Sequence, residues 1–330
     1  MLQRKLGASG LTASAIGLGT WAIGGGEWWG DSDEEASIET IKEAISAGVT
    51  LIDTAPCYGF GRSETVVGKA LKGGLRDKVI LSTKCGLWWH DNRGSFSFSQ
   101  EGYTVNKCLD PDTIEYELEL SLKRLGTDYI DVYFTHWQSI PPYLTPIKDT
   151  MRCLMNLKRQ GLIRCIGASN VSVQQIKEYL AYGELDVIQE KYSMLDRRTE
   201  ETFSEYCQEK GIAIMAYSPL EQGLLTGKIT MDSVFSEHEY RNTIPWMRPE
   251  NRIKVLHMLD GWKDLTEKYN CSIANLVVAW SVSQPGISHV LCGARRPHQI
   301  HETAMSASVS LTTAELERMK NDVLALGRPQ

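Results

Sequence analysis

The chain has 330 residues, 42% hydrophobic and 23% charged, with a formal net charge of −6. Acids and bases are interspersed without a basic block, which argues against a nucleic-acid surface. No apolar run is long enough to span a bilayer, and the N-terminus lacks the apolar core of a signal peptide, so no membrane partner is expected.

In chain order, "LQRKLGASGLTASAIG" suggests a short hairpin turning between Gly7 and Gly10. Short apolar runs rich in branched residues then alternate with longer amphipathic stretches. The predicted strands are 15–20, 50–53, 79–84, 130–136, 163–169, 186–189, 212–217 and 289–293. Helical patterns lie between them, with starts expected at Asp33, Asp112, Thr145 and Ser172 and ends before Gly48, Gly126, Gly161 and Gly211. Strand–helix alternation with no linker between halves predicts an α/β fold, one (β/α)8 barrel over residues 1–330. A doubly wound sheet would need a dinucleotide fingerprint. "GLGTWAIGGG", 17–26, lacks the third glycine at the required offset and opens no amphipathic helix. Two longer non-periodic segments, 85–109 and 223–248, are expected as loops walling the catalytic face.

Eight cysteines without a CxxC pair read as reduced thiols of a cytoplasmic protein. The pair His298 and His301 in "HQIH" has no acidic or cysteine partner, so a solvated or cofactor-adjacent helix is expected and no metal.

Polar groups gather at the strand ends. Asp53 ends the second strand, Lys84 the third and His136 the fourth; Ser169, Asn170, Gln189 and Tyr217 follow at the fifth to seventh, and Tyr58 lies in the loop after the second. A phenol titrating near ~10 needs help to donate a proton at neutral pH. A neighbouring ammonium lowers its pKa, and a carboxylate holds that ammonium in place. A histidine donor would orient a carbonyl at the same point. These are parts for protonating an oxygen as hydride arrives at carbon, and the hydride must come from a cofactor.

The pieces "GLGTW", "IDTAPCYGFGRSE", "STKCG", "RLGTDYIDVYFTHW", "IRCIGASN", "IQEKYS", "AYSPLEQGLLTGK" and "CGARRPHQIHET" occur in an order that resembles the aldo-keto reductase superfamily. The resemblance implies a barrel enzyme reducing small-molecule carbonyls with NADH or NADPH, and a catalytic tetrad of Asp53, Tyr58, Lys84 and His136. It implies that Ser169, Asn170 and Gln189 hold the nicotinamide carboxamide and that Tyr217 stacks on its ring. Ser218, Leu220, Gln222, Gly223, Leu224 and Lys228 would wrap the pyrophosphate, with Gly293, Arg295, Gln299 and Glu302 at the adenosine and Gly19, Thr20 and Trp21 beside the nicotinamide.

The chain departs from relatives that prefer the phosphorylated cofactor. Gly293-Ala294 stands for Lys-Ser, Gln299 for Arg and Thr303 for Asn, and Arg295 or Arg296 would have to replace the lost cations. Loop tryptophans suggest a substrate pocket of Trp21, Trp29, Trp88 and Trp137 beside Tyr58 and His136, although loop packing explains them equally well. Similarity to sugar and short-aldehyde reductases makes 2-oxoaldehydes the first substrate class. Sugar or polyol oxidation at the same site, and a nicotinamide-binding regulatory module with slow turnover, are the alternatives.

Overall fold

The computed structural model describes residues 1–330. Two short strands, β1 (Gln3–Lys5) and β2 (Thr12–Ser14), form the expected antiparallel hairpin. Eight parallel strands then close on themselves. In order around the barrel they are β3 (Ile16–Gly19), β4 (Leu51–Asp53), β5 (Ile80–Cys85), β9 (Ile130–Thr135), β10 (Ile163–Ser169), β11 (Val187–Lys191), β12 (Ala213–Tyr217) and β13 (Ile287–Gly293). β13 pairs with β3, so no edge is left. A core of 65 buried residues lies largely between strands and helices, and a smaller one that includes Leu51, Val132, Phe134 and Met215 joins inward-facing strand positions.

The helices follow their caps. The side chain of Asp33 caps α1 (Glu34–Ser46), and α2 spans Arg62–Ala70. Ser172 makes a capping box on α5 (Val173–Tyr182). Two expected starts are corrected. α3 runs Pro111–Leu125, because Pro111 suits the first helical position and moves the boundary ahead of Asp112. α4 runs Ile147–Arg159, because Pro146 after Thr145 holds the chain extended until residue 147. α6 (Arg198–Lys210) ends at Gly211 in the left-handed conformation. The later helices are α7 (Pro249–Asp260), α8 (Lys263–Tyr269), α9 (Ile273–Val282), α10 (Pro297–Met305) and α11 (Thr313–Ala325).

The expected loop 85–109 is instead largely a three-stranded antiparallel sheet of β6 (Leu87–Trp88), β7 (Ser95–Gln100) and β8 (Tyr103–Lys107), in the order β6-β8-β7. Its signal is the alternation in "SFSFSQ" followed by "EG", where both Glu101 (φ 49°) and Gly102 (φ 79°) adopt the positive φ of a tight hairpin turn. The second expected loop, after β12, does lack long elements and folds as short 3₁₀ segments at Glu221–Thr226, which is kinked at Gln222 and Gly223, Tyr240–Thr243 and Pro245–Met247. No helix is long and apolar enough to cross a membrane.

Candidate active site

One cavity of about 850 Å³ opens at the C-terminal ends of the barrel strands. Its floor is the strand-end cluster. Asp53, the last residue of β4, is 2% exposed, and Lys84 in β5 is fully buried. Lys84 Nζ donates to Asp53 Oδ2 at 2.6 Å and to the Thr54 carbonyl at 2.8 Å, and lies 3.3 Å from the Tyr58 hydroxyl. The other Asp53 oxygen accepts from Ser82 Oγ at 2.7 Å and Gln189 Nε2 at 2.9 Å. The carboxylate therefore enters the core fully paired, as a buried charge must.

The loop after β4 returns Tyr58 over the strand end because two glycines let backbones touch. A Cβ on Gly24 would meet the Tyr58 carbonyl carbon at 2.6 Å, and one on Gly59 (φ +62°) would meet the Gly24 oxygen at 2.2 Å. His136, one residue beyond β9, stands edge-on to Tyr58 with ring centroids 5.8 Å apart.

The electrostatics correct one expectation. Burial, and then the Asp53 carboxylate, push the Tyr58 phenol well above the usual tyrosine value. Lys84, although within reach of the phenol, does not outweigh that burial. Burial, and then Lys84, hold His136 well below the ordinary histidine value, so its imidazole is neutral. The ring's side-chain partner is Cys57, whose Sγ lies 3.6 Å from Nδ1. Burial pushes that thiol up, which keeps it as S–H.

Next to this cluster, Asn170 Nδ2 donates to the His136 carbonyl at 2.9 Å and to Ser169 Oγ at 3.1 Å. Ser169 Oγ donates to the Gln189 carbonyl at 2.7 Å. The Tyr217 hydroxyl donates to Asn170 Oδ1 at 2.8 Å, which locks its ring at the cavity wall. The donors of this group are spent within the protein. What remains for a ligand is a set of acceptor lone pairs, which suits an amide NH2.

The wall beyond Tyr217 is strained. Ser218 (φ 60°), Glu221 (43°), Gln222 (51°) and Gly223 (100°) have positive φ. Two buried polar atoms of the cavity lining lack any partner, Gln222 Oε1 and Trp29 Nε1. The far end is bounded by Gly293, Arg295, Gln299 and Glu302. Here the cations are engaged: Lys228 with Glu302 at 2.5 Å, Arg296 with Asp33 at 3.0 Å, and Arg295 with the Trp29 carbonyl at 2.9 Å.

Nearly all the expected site residues line this one cavity, Gly19, Thr20, Trp21, Leu220 and Trp137 among them. Lys84 acts from beneath it. Two of the expected residues, Trp88 and Leu224, do not line it. Trp88 is 3% exposed and faces away from the cavity, where Nε1 donates to Asp91 at 2.7 Å and Arg93 covers the ring. Leu224 is fully buried in the main core, because the 3₁₀ turn directs it inward. Sequence reasoning missed Ser97, Phe98 and Lys107, which the small sheet brings to the rim, and Phe235, Tyr240 and Arg241. Tyr240 packs on Trp21 with centroids 5.0 Å apart, so the segment after β12 closes over the segment after β3. The alternation of β7 and β8 would have revealed the first set; nothing periodic marks the second.

A closed parallel barrel with an Asp–Lys–Tyr–His cluster at its strand ends defines a class of oxidoreductase, and the chain belongs to it: residues 15–322 match the aldo/keto reductase family. Among curated relatives, it is 47% identical over 329 residues, 99% of this chain and all of the relative, to the NADH-specific methylglyoxal reductase of Escherichia coli strain K12. It is 43% identical to an aldo-keto reductase of Bacillus subtilis strain 168, covering 91% of this chain and 87% of that one. Among solved structures, glycerol dehydrogenase from Gluconobacter oxydans superposes with a TM-score of 0.86 at 34% identity, over 99% of this chain and 96% of the other.

Proposed function

We propose that this chain is an NADH-linked reductase of small aldehydes, 2-oxoaldehydes such as methylglyoxal first, with Tyr58 as proton donor. The observation that carries this reading is the buried line from Asp53 through Lys84 to Tyr58, which ends in the same cavity as a neutral His136. The full-length similarity to a reductase named NADH-specific for methylglyoxal supports the substrate class and the cofactor. We read residues 1–330 as one catalytic domain and, from eight free thiols, as a cytoplasmic one.

The cavity fits a nicotinamide nucleotide. The acceptors on Ser169, Asn170 and Gln189 suit its carboxamide, and the anchored ring of Tyr217 offers a flat face. Ser218, Leu220, Gln222, Gly223 and Lys228 would hold its phosphates through their donors, and the unpartnered Gln222 Oε1 would accept from a hydroxyl of the nucleotide. At the adenosine end Lys228 is paired with Glu302 and Arg296 with Asp33, so Arg295, held by backbone carbonyls alone, is the one cation there without a carboxylate; the reading of NADH over NADPH rests on the full-length similarity to the NADH-specific relative. When bound, reduced nicotinamide supplies the hydride that no side chain can.

The remaining work falls to the chain. Tyr58, held as O–H through the neutral range, gives its proton only to a strong base, such as the oxygen of a carbonyl becoming an alkoxide. That balance favours reduction over alcohol oxidation, the direction for which the glycerol dehydrogenase neighbour is named. Lys84 keeps the phenol in place and Asp53 keeps Lys84 in place. If the Cys57 S–H donates to His136 Nδ1, the ring must carry its proton on Nε2, free to donate to a substrate oxygen.

Steady-state oxidation of NADH and NADPH with methylglyoxal, sugars and hydroxyketones tests the reading. Methylglyoxal with NADH should give the highest kcat/KM, and Tyr58→Phe should cut kcat by about 10²–10⁴ while NADH still quenches tryptophan fluorescence. Near-normal turnover by Tyr58→Phe would overturn the mechanism, and no turnover with any carbonyl would favour a nucleotide-binding module.

A further inference from the structure

Five cationic side chains line the cavity: Lys107, Lys191, Lys228, Arg241 and Arg295. Four are engaged within the protein. Lys191 pairs with Glu221 at 3.2 Å, Lys228 with Glu302 at 2.5 Å and Arg241 with Glu239 at 2.6 Å. Arg295 donates to the Trp29 carbonyl at 2.9 Å. Lys107 has neither a carboxylate nor a carbonyl; its ammonium lies over the ring of Trp137, 4.4 Å from the centroid. The cavity offers it no carboxylate either, because the two that line it, Asp53 and Glu302, are held by Lys84 and Lys228.

The position of Lys107 places it on the substrate side. It is the last residue of β8, opposite Leu87 and Ser95, and Trp137 directly follows His136. Its strand partner Leu87 is apolar, and the same cavity is lined by Phe98 packed on Trp28 with centroids 4.9 Å apart. Partial burial pulls the lysine below its ordinary pKa, with no carboxylate to restore it. A half-buried ammonium braced by an aromatic face gains more from a charged acceptor than an exposed one does.

We propose that Lys107 is a specificity determinant that binds an anionic group, a carboxylate or a phosphate, carried by the carbonyl substrate. The inference rests on the reductase reading of the site and extends it beyond neutral 2-oxoaldehydes to aldehydes that carry an anionic group. A lysine ammonium is a point charge without the fork geometry of arginine, so it serves either anion.

Matched pairs test it: butanal against succinic semialdehyde, and glyceraldehyde against glyceraldehyde 3-phosphate, each with NADH and with wild type, Lys107→Met and Lys107→Arg. In wild type, kcat/KM for the anionic member of at least one pair should exceed that of its neutral partner by about tenfold or more, mainly through KM. Lys107→Met should bring that ratio close to one, and Lys107→Arg should retain most of it. The pair that responds distinguishes carboxylate from phosphate. A wild-type ratio near one in both pairs, or an equal fall of both members in Lys107→Met, overturns the assignment and leaves the reductase standing. No turnover with any of the four overturns both.

Discussion

The two ends of the cavity are built on different terms. At the strand-end cluster, folding alone completes the geometry: Asp53 has partners on both oxygens, and Lys84 donates to Asp53, to the Thr54 carbonyl and toward Tyr58. In the loop after β12, three non-glycine residues adopt left-handed backbone, at a cost of order 1 kcal/mol each, and Gln222 Oε1 is buried without a partner. The acid–base end is pre-organised by the protein. The nucleotide end stores strain and an unfilled acceptor that a ligand would complete.

The largest effect expected of this contrast is at the rigid end. Lys84→Met leaves the Asp53 carboxylate buried without its cation, which costs about 3–5 kcal/mol. Both Tm and carbonyl reduction should fall sharply. Adding Asp53→Asn removes the orphaned charge, so the double variant should regain most of the lost Tm by thermal melt but little activity. Recovery of activity in the double variant would mean that packing, and not the ion pair, prepares Tyr58.

The strained end should respond in the opposite way. Gln222→Gly relieves a left-handed residue, worth about 1–2 kcal/mol, against about 0.4–1 kcal/mol for the freer unfolded chain and the lost Nε2–Ser218 hydrogen bond of 2.8 Å. The apo protein should keep its Tm to within a few degrees while the NADH Kd rises about tenfold by fluorescence titration, as one lost hydrogen bond to a ligand would give. A large fall in apo Tm with unchanged affinity would show that this loop, too, is complete without ligand.

The contrast also explains what could be read from the chain. The barrel strands are legible because each is a short apolar run, most of them ending in a polar residue, and Asp53, Lys84, His136 and Ser169 all meet at the rim where those endings put them. Helix starts fail at Asp112 and Thr145, where a neighbouring proline sets the boundary more strongly than the capping side chain. Trp88 escapes the pattern because a place between strands does not imply exposure; Asp91 and Arg93 enclose it. The direction of the Tyr58 shift is not legible at all, since it depends on burial and then on the Asp53 carboxylate beside it.

The smallest expected effect belongs to Cys57, whose place between Asp53 and Tyr58 the motif alone does not explain. Its thiol faces His136 Nδ1 at 3.6 Å and stays protonated in that buried setting. With the thiol as donor, Cys57→Ala removes what fixes the ring's proton and lets the neutral ring populate both tautomers, only one of which donates from Nε2. We expect kcat/KM to fall roughly threefold to tenfold, the range of a single modest hydrogen bond, with Cys57→Ser close to wild type. Because burial and Lys84 depress the folded pKa of His136 below 6.5, its neutral form contributes stability above that pH, and this is lost as the pH falls toward the folded value. Loss of the thiol should therefore leave the rate profile above pH 6.5 parallel to wild type and shift the ¹⁵N resonances of His136 toward a tautomer average. Unchanged resonances in Cys57→Ala would leave the thiol a packing neighbour, and the proton on Nε2 would then be set by Tyr58 and the cavity instead.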